Sequence, residues 1–280
     1  MSARTVFLLT VSAMLAFAGN SLLCRIALRG AHIDPASFTL VRLAAGALML
    51  APISYARKGG GIRGGSWTSA IMLFTYAAAF SLAYASLSAG TGALLLFGAV
   101  QLTMIGYGLW RGERLNTWQS LGLASALAGL VLLMLPGLST PAPGGALLMA
   151  AAGVAWGVYS LRGRGAGDPI GGTAGNFLRS IPFAVALELA LSAHPAMDAY
   201  GIACGVASGA LASGLGYVMW YMVLPRLGAT TAASIQLSVP VITAIGATLF
   251  LGEQVSLRLV GASLAVLGGI GLVIAKRRAR

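Results

Sequence analysis

Apolar runs of roughly 17 to 25 residues follow one another from end to end of the chain, broken by short clusters of Gly, Pro, Arg and Lys. The apolar character is continuous within each run, which predicts helices. Barrel strands would be ~10 residues long and alternate polar with apolar. Ten spans are predicted: Val6 to Leu28, Ala36 to Tyr55, Ser66 to Leu87, Thr91 to Trp110, Trp118 to Leu135, Gly145 to Leu161, Gly172 to Leu191, Tyr200 to Leu224, Thr231 to Leu251 and Ser256 to Ala275. The expected fold is therefore an all-α membrane protein with the lipid bilayer as its solvent.

Composition supports this and charge orients it. The chain is 58% hydrophobic and 9% charged, where a soluble domain would carry about a quarter charged residues. Arg4, Arg57, Lys58, Arg63, Arg111, Arg114, Arg162, Arg164, Arg226, Lys276, Arg277, Arg278 and Arg280 fall on one side of ten spans, and only Arg29 and Arg258 on the other. The positive-inside rule makes the basic side cytoplasmic, with both termini there, in a bacterial-type inner membrane. The net charge of +12 is spread over short loops and a tail, so it does not predict a nucleic-acid partner. The first run is too long for a signal core and reads as a retained helix. Cys24 and Cys204 lie far apart in separate spans and form no CxxC, which fits small buried groups better than a metal site or disulfide. A monomer is expected.

The two halves repeat. A shift of 140 residues pairs Thr91 with Thr231, Ala93 with Ala233, Thr103 with Thr243, Gly106 with Gly246, Gly112 and Glu113 with Gly252 and Glu253, Leu127 with Leu267, Gly129 with Gly269 and Leu132 with Leu272. Near a shift of 137, Arg42 falls on Arg179. The predicted division is a first five-helix repeat over 1–137 and a second over 138–280. An odd number of crossings inverts the second repeat, and inverted repeats around a central cavity are the architecture of alternating-access carriers, with the substrate site near the midplane. Gly205, Gly209, Gly214 and Gly216 in the eighth span, and Gly261, Gly268, Gly269 and Gly271 in the tenth, would allow close helix approach.

Candidate substrate-binding residues share helical faces away from the ends. They are Asn20 (with Phe17 and Cys24) in the first span; Tyr76, Phe80 and Tyr84 in the third; Phe97 and Gln101 in the fourth; Trp156 and Tyr159 in the sixth; Tyr217 and Trp220 in the eighth; Gln236, Ser238 and Pro240 in the ninth. Uncharged amides are costly against acyl chains and are expected to face the interior. Pro240 removes a backbone hydrogen bond and frees a carbonyl about a turn earlier. Trp67, Trp110 and Trp118 lie where an interfacial belt would put them. Arg42 and Arg179, ~10 Å inside their spans at 1.5 Å per residue, are expected to snorkel, Arg42 outward and Arg179 toward the cytoplasm, or to pair with helix-end carbonyls, ahead of the alternative that either grips a substrate carboxylate. Glu113 and Glu253 are expected to hold tight turns. No acid or His relay crosses the midplane, and no phosphate-cradling loop is present, so facilitated export without cofactor or metal is expected. No acid, His and Ser set converges to suggest an enzyme.

The turn Trp110-Arg111-Gly112-Glu113-Arg114-Leu115, its echo Phe250-Leu251-Gly252-Glu253-Gln254-Val255, the early Gly19-Asn20-Ser21 and the Pro35 to Arg42 entry together resemble the drug/metabolite transporter superfamily, in its ten-helix EamA-type branch. The resemblance covers the whole chain. It implies a basket in which spans one, three, four, six, eight and nine surround a cavity, with five and ten beside it. It also implies export of amino acids, aromatic or bulky apolar ones foremost, or of related small metabolites; drug-like compounds and proton coupling are the alternative. Where related proteins often carry a Pro in the fourth span, this chain has Gln101-Leu102-Thr103, while the ninth keeps Val239-Pro240.

Overall fold

The structure is a computed structural model that describes residues 1–56, 62, 64–112, 114–135, 141–163, 167–191, 196–227 and 235–277. Glu113, His194, Arg57, Lys58, Arg63, Arg164, Arg278, Arg280 and the start of the ninth span at Thr231 lie outside these residues, as do the side chains of Lys276 and Arg277.

Among the described residues the chain forms ten major helices, α1 (Ala3–Arg29), α2 (Pro35–Ala56), α3 (Trp67–Tyr84), α4 (Ala89–Trp110), α5 (Thr117–Met134), α6 (Pro143–Gly163), α7 (Pro169–Leu191), α8 (Ala199–Arg226), α9 (Ser238–Leu251) and α10 (Leu257–Arg277). All but α9 are long and apolar enough to cross a bilayer. α9 has 14 residues. The helical path breaks at Leu237, one residue past the Gln236 carbonyl to which Pro240 cannot donate. α4, which lacks a Pro, runs unbroken, so the two equivalent helices differ.

Local chemistry sets the ends. The side chains of Ser2, Ser66, Ser88, Asn116 and Asp198 each accept from a backbone N–H in the first turn of α1, α3, α4, α5 and α8. Asn116 and Gln119 form a reciprocal capping box. The repeated Gly-Glu turns have a conformational cause: Gly112 (φ +90°) and Gly252 (φ +62°) both take the left-handed conformation that favours glycine.

Helix pairing obeys the repeat. α3 packs on α6 as α1 packs on α8, α4 on α6 as α1 on α9, and α3 on α7 as α2 on α8, each pair mapping onto the other by a step of five helices. The pairs α2–α7, α5–α10 and α4–α9 map onto themselves. The α5–α10 seam shows this in detail. A Cβ at Gly122 would come within 2.5 Å of the Gly269 carbonyl oxygen, and one at Gly129 within 3.0 Å of that of Ala262. A shift of 140 residues carries Gly122 to Ala262 and Gly129 to Gly269, exchanging the two contacts. Gln119 and Ser125 add hydrogen bonds to the carbonyls of Val273 (3.2 Å) and Ala265 (3.1 Å). Of the other α10 glycines, Gly268 and Gly271 face open space, so the small residues there do not act as one packing stripe.

Candidate substrate chamber

The central feature of the site is an irregular stretch of α8. Between Ala207 and Leu215 the helix is wound as a π-helix of nine residues, whereas most π segments are single turns, often at functional sites. A π turn takes more than four residues, so Ser208 and Ser213 point toward the same interior cluster. Gly209 makes the close packing possible, because a Cβ there would stand 2.1 Å from the Arg42 carbonyl oxygen on α2.

Against this segment lies Arg42, 1% exposed. Its Nε donates to Ser213 Oγ (3.1 Å), and its Nη2 donates to the hydroxyls of Tyr76 (3.1 Å) and Tyr217 (3.1 Å). Its Nη1 has no partner among the described residues. The guanidinium also lies 4.9 Å from the Tyr76 ring centroid and 5.0 Å from that of Phe80. Tyr76 is halfway along α3 and Ser213 halfway along α8, so the charge is held at mid-depth. This overturns the expectation that Arg42 snorkels outward. Its neighbours α3 and α8 supply three hydroxyls deep in the bundle, so the side chain turns inward instead of reaching for an end.

Asn20 extends the network, donating from Nδ2 to the Tyr76 hydroxyl (3.1 Å) and accepting at Oδ1 from Ser208 (2.6 Å). Around these polar groups the aromatic side chains stack on one another. Trp156 lies 4.6 Å from Tyr217 and 4.9 Å from Tyr76, centroid to centroid. Phe17 meets Trp156, Tyr217 and Trp220 edge-on. Phe80 bridges Tyr76 and Tyr84. The constellation draws on α1, α3, α6 and α8, so both halves contribute.

The remaining predicted residues divide. Phe97, Gln101 and Gln236 are buried. Tyr84 donates to the Ala89 carbonyl (3.3 Å) near the far end of α3. Ser238 donates back to the Ile235 carbonyl (2.7 Å). Pro240 borders an apolar groove of about 520 Å³ between α9 and α10, away from the Arg42 cluster. Cys24 and Cys204 are free thiols, both buried. Trp67, Trp110 and Trp118 are exposed at helix ends, as an interfacial belt requires.

The two rims of the bundle differ. At the rim where α3 and α7 begin, a pocket of about 200 Å³ is lined by Ser66, Ser69, Tyr159, Arg162, Asn176 and Tyr221, among others. Arg162 Nε donates to Ser69 Oγ (3.1 Å), and Asn176 accepts from the Ser66 N–H (2.9 Å) while donating to the Tyr159 hydroxyl (3.3 Å). Tyr159 stacks 5.5 Å from Trp156, which links this pocket to the centre. At the opposite rim Glu253 closes the structure. One carboxylate oxygen pairs with Arg25 Nε (3.0 Å) and the other accepts from the Ala89 N–H (2.7 Å), tying α1, the α9–α10 turn and the start of α4 together. The role is structural, as expected, but among the described residues the Glu253 side chain ties neighbouring helices together and makes no bond within its own turn. Arg25 also donates to the Tyr84 carbonyl (2.9 Å). Nearby, His32 Nδ1 contacts Asp198 Oδ2 at 2.7 Å. The Gly201 N–H, and then His32, hold the Asp198 carboxyl below its ordinary pKa.

Arg42 was the residue that sequence reasoning placed wrongly. The available signal was its occurrence within a span, together with the serines of the Ser208 to Gly214 small-residue run.

A model of the EamA-like transporter family matches residues 4–135 and again 143–275, one copy for each half. Uncharacterized protein PA1977 of Pseudomonas aeruginosa is 57% identical over 279 residues, covering 99% of this chain and 97% of that protein. A solved crystal structure superposes with a TM-score of 0.70 over 98% of both chains at 21% identity, a likeness of fold. With two matched repeats, and ten helices among the described residues whose pairing follows the repeat around a shared interior, the chain belongs to the EamA-like transporter family of multi-pass membrane transporters, within the drug/metabolite transporter superfamily.

Proposed function

We propose that this chain exports amino acids, with aromatic or bulky apolar side chains preferred, from the cytoplasm by alternating access and without an energy-coupling ion. The observation that carries this reading is the aromatic constellation of Phe17, Tyr76, Trp156, Tyr217 and Trp220, built from both repeats around a hydrogen-bonding centre at mid-depth. Such a site offers ring faces to an apolar side chain and a few fixed polar groups to a backbone. With the basic rim on the cytoplasmic side, the pocket beside Tyr159 faces the substrate's source and the Glu253 closure faces its destination. Cationic drugs fit less well, because the ionised partner nearest the centre is Arg42 and not a carboxylate.

Uptake of labelled amino acids into liposomes containing the purified chain tests this reading. Saturable flux of phenylalanine or tyrosine, driven by its own gradient, is expected. Trp156→Ala or Tyr76→Phe should change preference or flux while the protein stays folded. Accumulation against the substrate gradient that collapses with a proton gradient would contradict facilitated export. Unchanged flux in both variants would contradict the chamber. Termini mapped to opposite faces would remove the inverted geometry.

A further inference from the structure

We infer that Arg42 is the anchor for a substrate carboxylate, so that the chamber selects solutes by that group and discriminates against otherwise identical amines. The inference rests on the reading of this constellation as the transport site, and it names the chemistry that the site recognises.

The argument begins with cost. An Arg at the centre of a membrane helix is unfavourable by about 2.5–3.5 kcal/mol on insertion scales, and buried charges are normally paired. Arg42 has no such pairing. Among the described residues the ion pairs are Arg25–Glu253 and His32–Asp198, both at the rim opposite the pocket. The partners of Arg42 are neutral hydroxyls, from Ser213, Tyr76 and Tyr217. If the role were only to join helices, a neutral amide could make similar bonds without the charge.

Donor accounting points the same way. A guanidinium has five N–H groups. Here Nε uses one and Nη2 uses two, which leaves both Nη1 protons buried and unpartnered among the described residues. A carboxylate accepts two parallel N–H bonds from adjacent guanidinium nitrogens, and such charge-assisted bonds are about twice as strong as bonds to a neutral oxygen. A substrate carboxylate could therefore take one Nη1 proton together with one Nη2 proton, displacing a tyrosine hydroxyl.

That displacement also supplies space. Tyr76 and Tyr217 both stack on Trp156, so releasing either phenol from Arg42 loosens the aromatic packing where the apolar part of the solute must go. The two phenols stand in for the carboxylate when the chamber is collapsed. Among the described residues no acid pairs with Arg42 or stands ready for a substrate ammonium, so the amine contributes less than the carboxylate.

The test uses the purified chain in liposomes with three labelled probes sharing one ring and chain length: L-phenylalanine, 3-phenylpropanoate and phenethylamine. Wild type should move the two carboxylates and discriminate against phenethylamine by about tenfold or more, the value of one good charge-assisted contact. Arg42→Lys keeps the charge but loses the fork, and should weaken the half-saturating concentration for phenylalanine by about tenfold while preserving the order of probes. Arg42→Gln should abolish the order. Should Arg42→Gln fail to fold, the wild-type panel decides by itself. Equal flux of phenethylamine and phenylalanine through wild type, both altered by Trp156→Ala, would overturn the anchor and leave the chamber standing. Folded Arg42→Gln carrying phenylalanine as wild type does would overturn it also. Indifference of all three fluxes to Trp156→Ala and Tyr76→Phe would instead remove the chamber itself.

Discussion

Arg42 on α2 and Arg179 on α7 hold matching places in the two repeats, and their helices pack against each other, yet they do opposite things. Arg42 turns inward to three hydroxyls at mid-depth. Arg179 turns back to the rim, where its Nη1 donates to the carbonyls of Gly64 and Gly175, each at 3.0 Å. The cause lies in the neighbours. Around Arg179, the chain entering α3 crosses the start of α7 so closely that a Cβ at Gly175 would stand 2.1 Å from the Gly64 oxygen, which puts a carbonyl within reach. Around Arg42, the π segment of α8 brings in Gly209 and Ser213 instead. Duplication thus kept the helix pairing while dividing the labour of its two arginines, one for the centre and one for a joint.

The largest effect should come from closing the space that lets α8 approach Arg42. In Gly209→Ala the new methyl meets backbone, the Arg42 carbonyl, and neither helix can yield by turning a side chain. Destabilisation of about 3 kcal/mol is expected, seen as a fall of roughly 5–10 °C in melting temperature of the purified protein. Gly268→Ala on α10, where a Cβ meets nothing within 4 Å, is the control and should melt as wild type does. Equal behaviour of the two would mean that the close approach at Gly209 does not govern packing.

Next in size is Ser213→Ala, which removes the acceptor of Arg42 Nε. A buried bond to a charged group lost in this way costs about 1.5–3 kcal/mol, so a smaller fall in melting temperature is expected, together with weaker phenylalanine transport. Transport unchanged alongside reduced stability would assign Ser213 to packing alone.

The closure at the opposite rim ranks below these. Glu253→Gln leaves Arg25 without its counter-charge and weakens the acceptor for the Ala89 N–H. Cys24, buried one residue before Arg25, reports on the result. A more frequent opening worth about 1.4 kcal/mol would raise the labelling rate of Cys24 by a polar thiol reagent about tenfold. A rate equal to wild type would show that the Glu253 cluster is not what holds that rim shut.

The sequence disclosed these parts unequally. The spans were legible because each lies within one stretch of chain and only a membrane allows so few charges. The repeat was legible because its strongest mark, the Gly112 and Gly252 turns, answers a local requirement for positive φ. Asn20, Tyr76, Trp156 and Tyr217 could be picked out because polar or aromatic groups away from helix ends stand out against an Ala, Gly and Leu background. Arg42 could not be read correctly, since distance along a helix gives the depth of a Cα but not which way a long side chain turns. That direction depends on the winding of α8 some 170 residues away, as the bond from Arg42 to Ser213 shows, and no propensity marks Ser208 to Gly214 as a π-helix. Pro240 was located correctly as a break, but which flank it faces is set by α10.

Arg179→Gln should have the smallest effect, and it makes the comparison exact. If the two arginines had equivalent roles, removing either charge would change transport alike. The contacts of Arg179 are with carbonyl oxygens near a half-buried rim, where water can replace the lost donor, so the cost should stay within about 1 kcal/mol. Phenylalanine flux and the ranking of the three probes should remain those of wild type, because no atom of Arg179 bonds to the central cluster. A shift in probe ranking in Arg179→Gln as large as that in Arg42→Gln would mean that charge anywhere in the bundle, and not a guanidinium placed among Tyr76, Tyr217 and Ser213, sets selectivity.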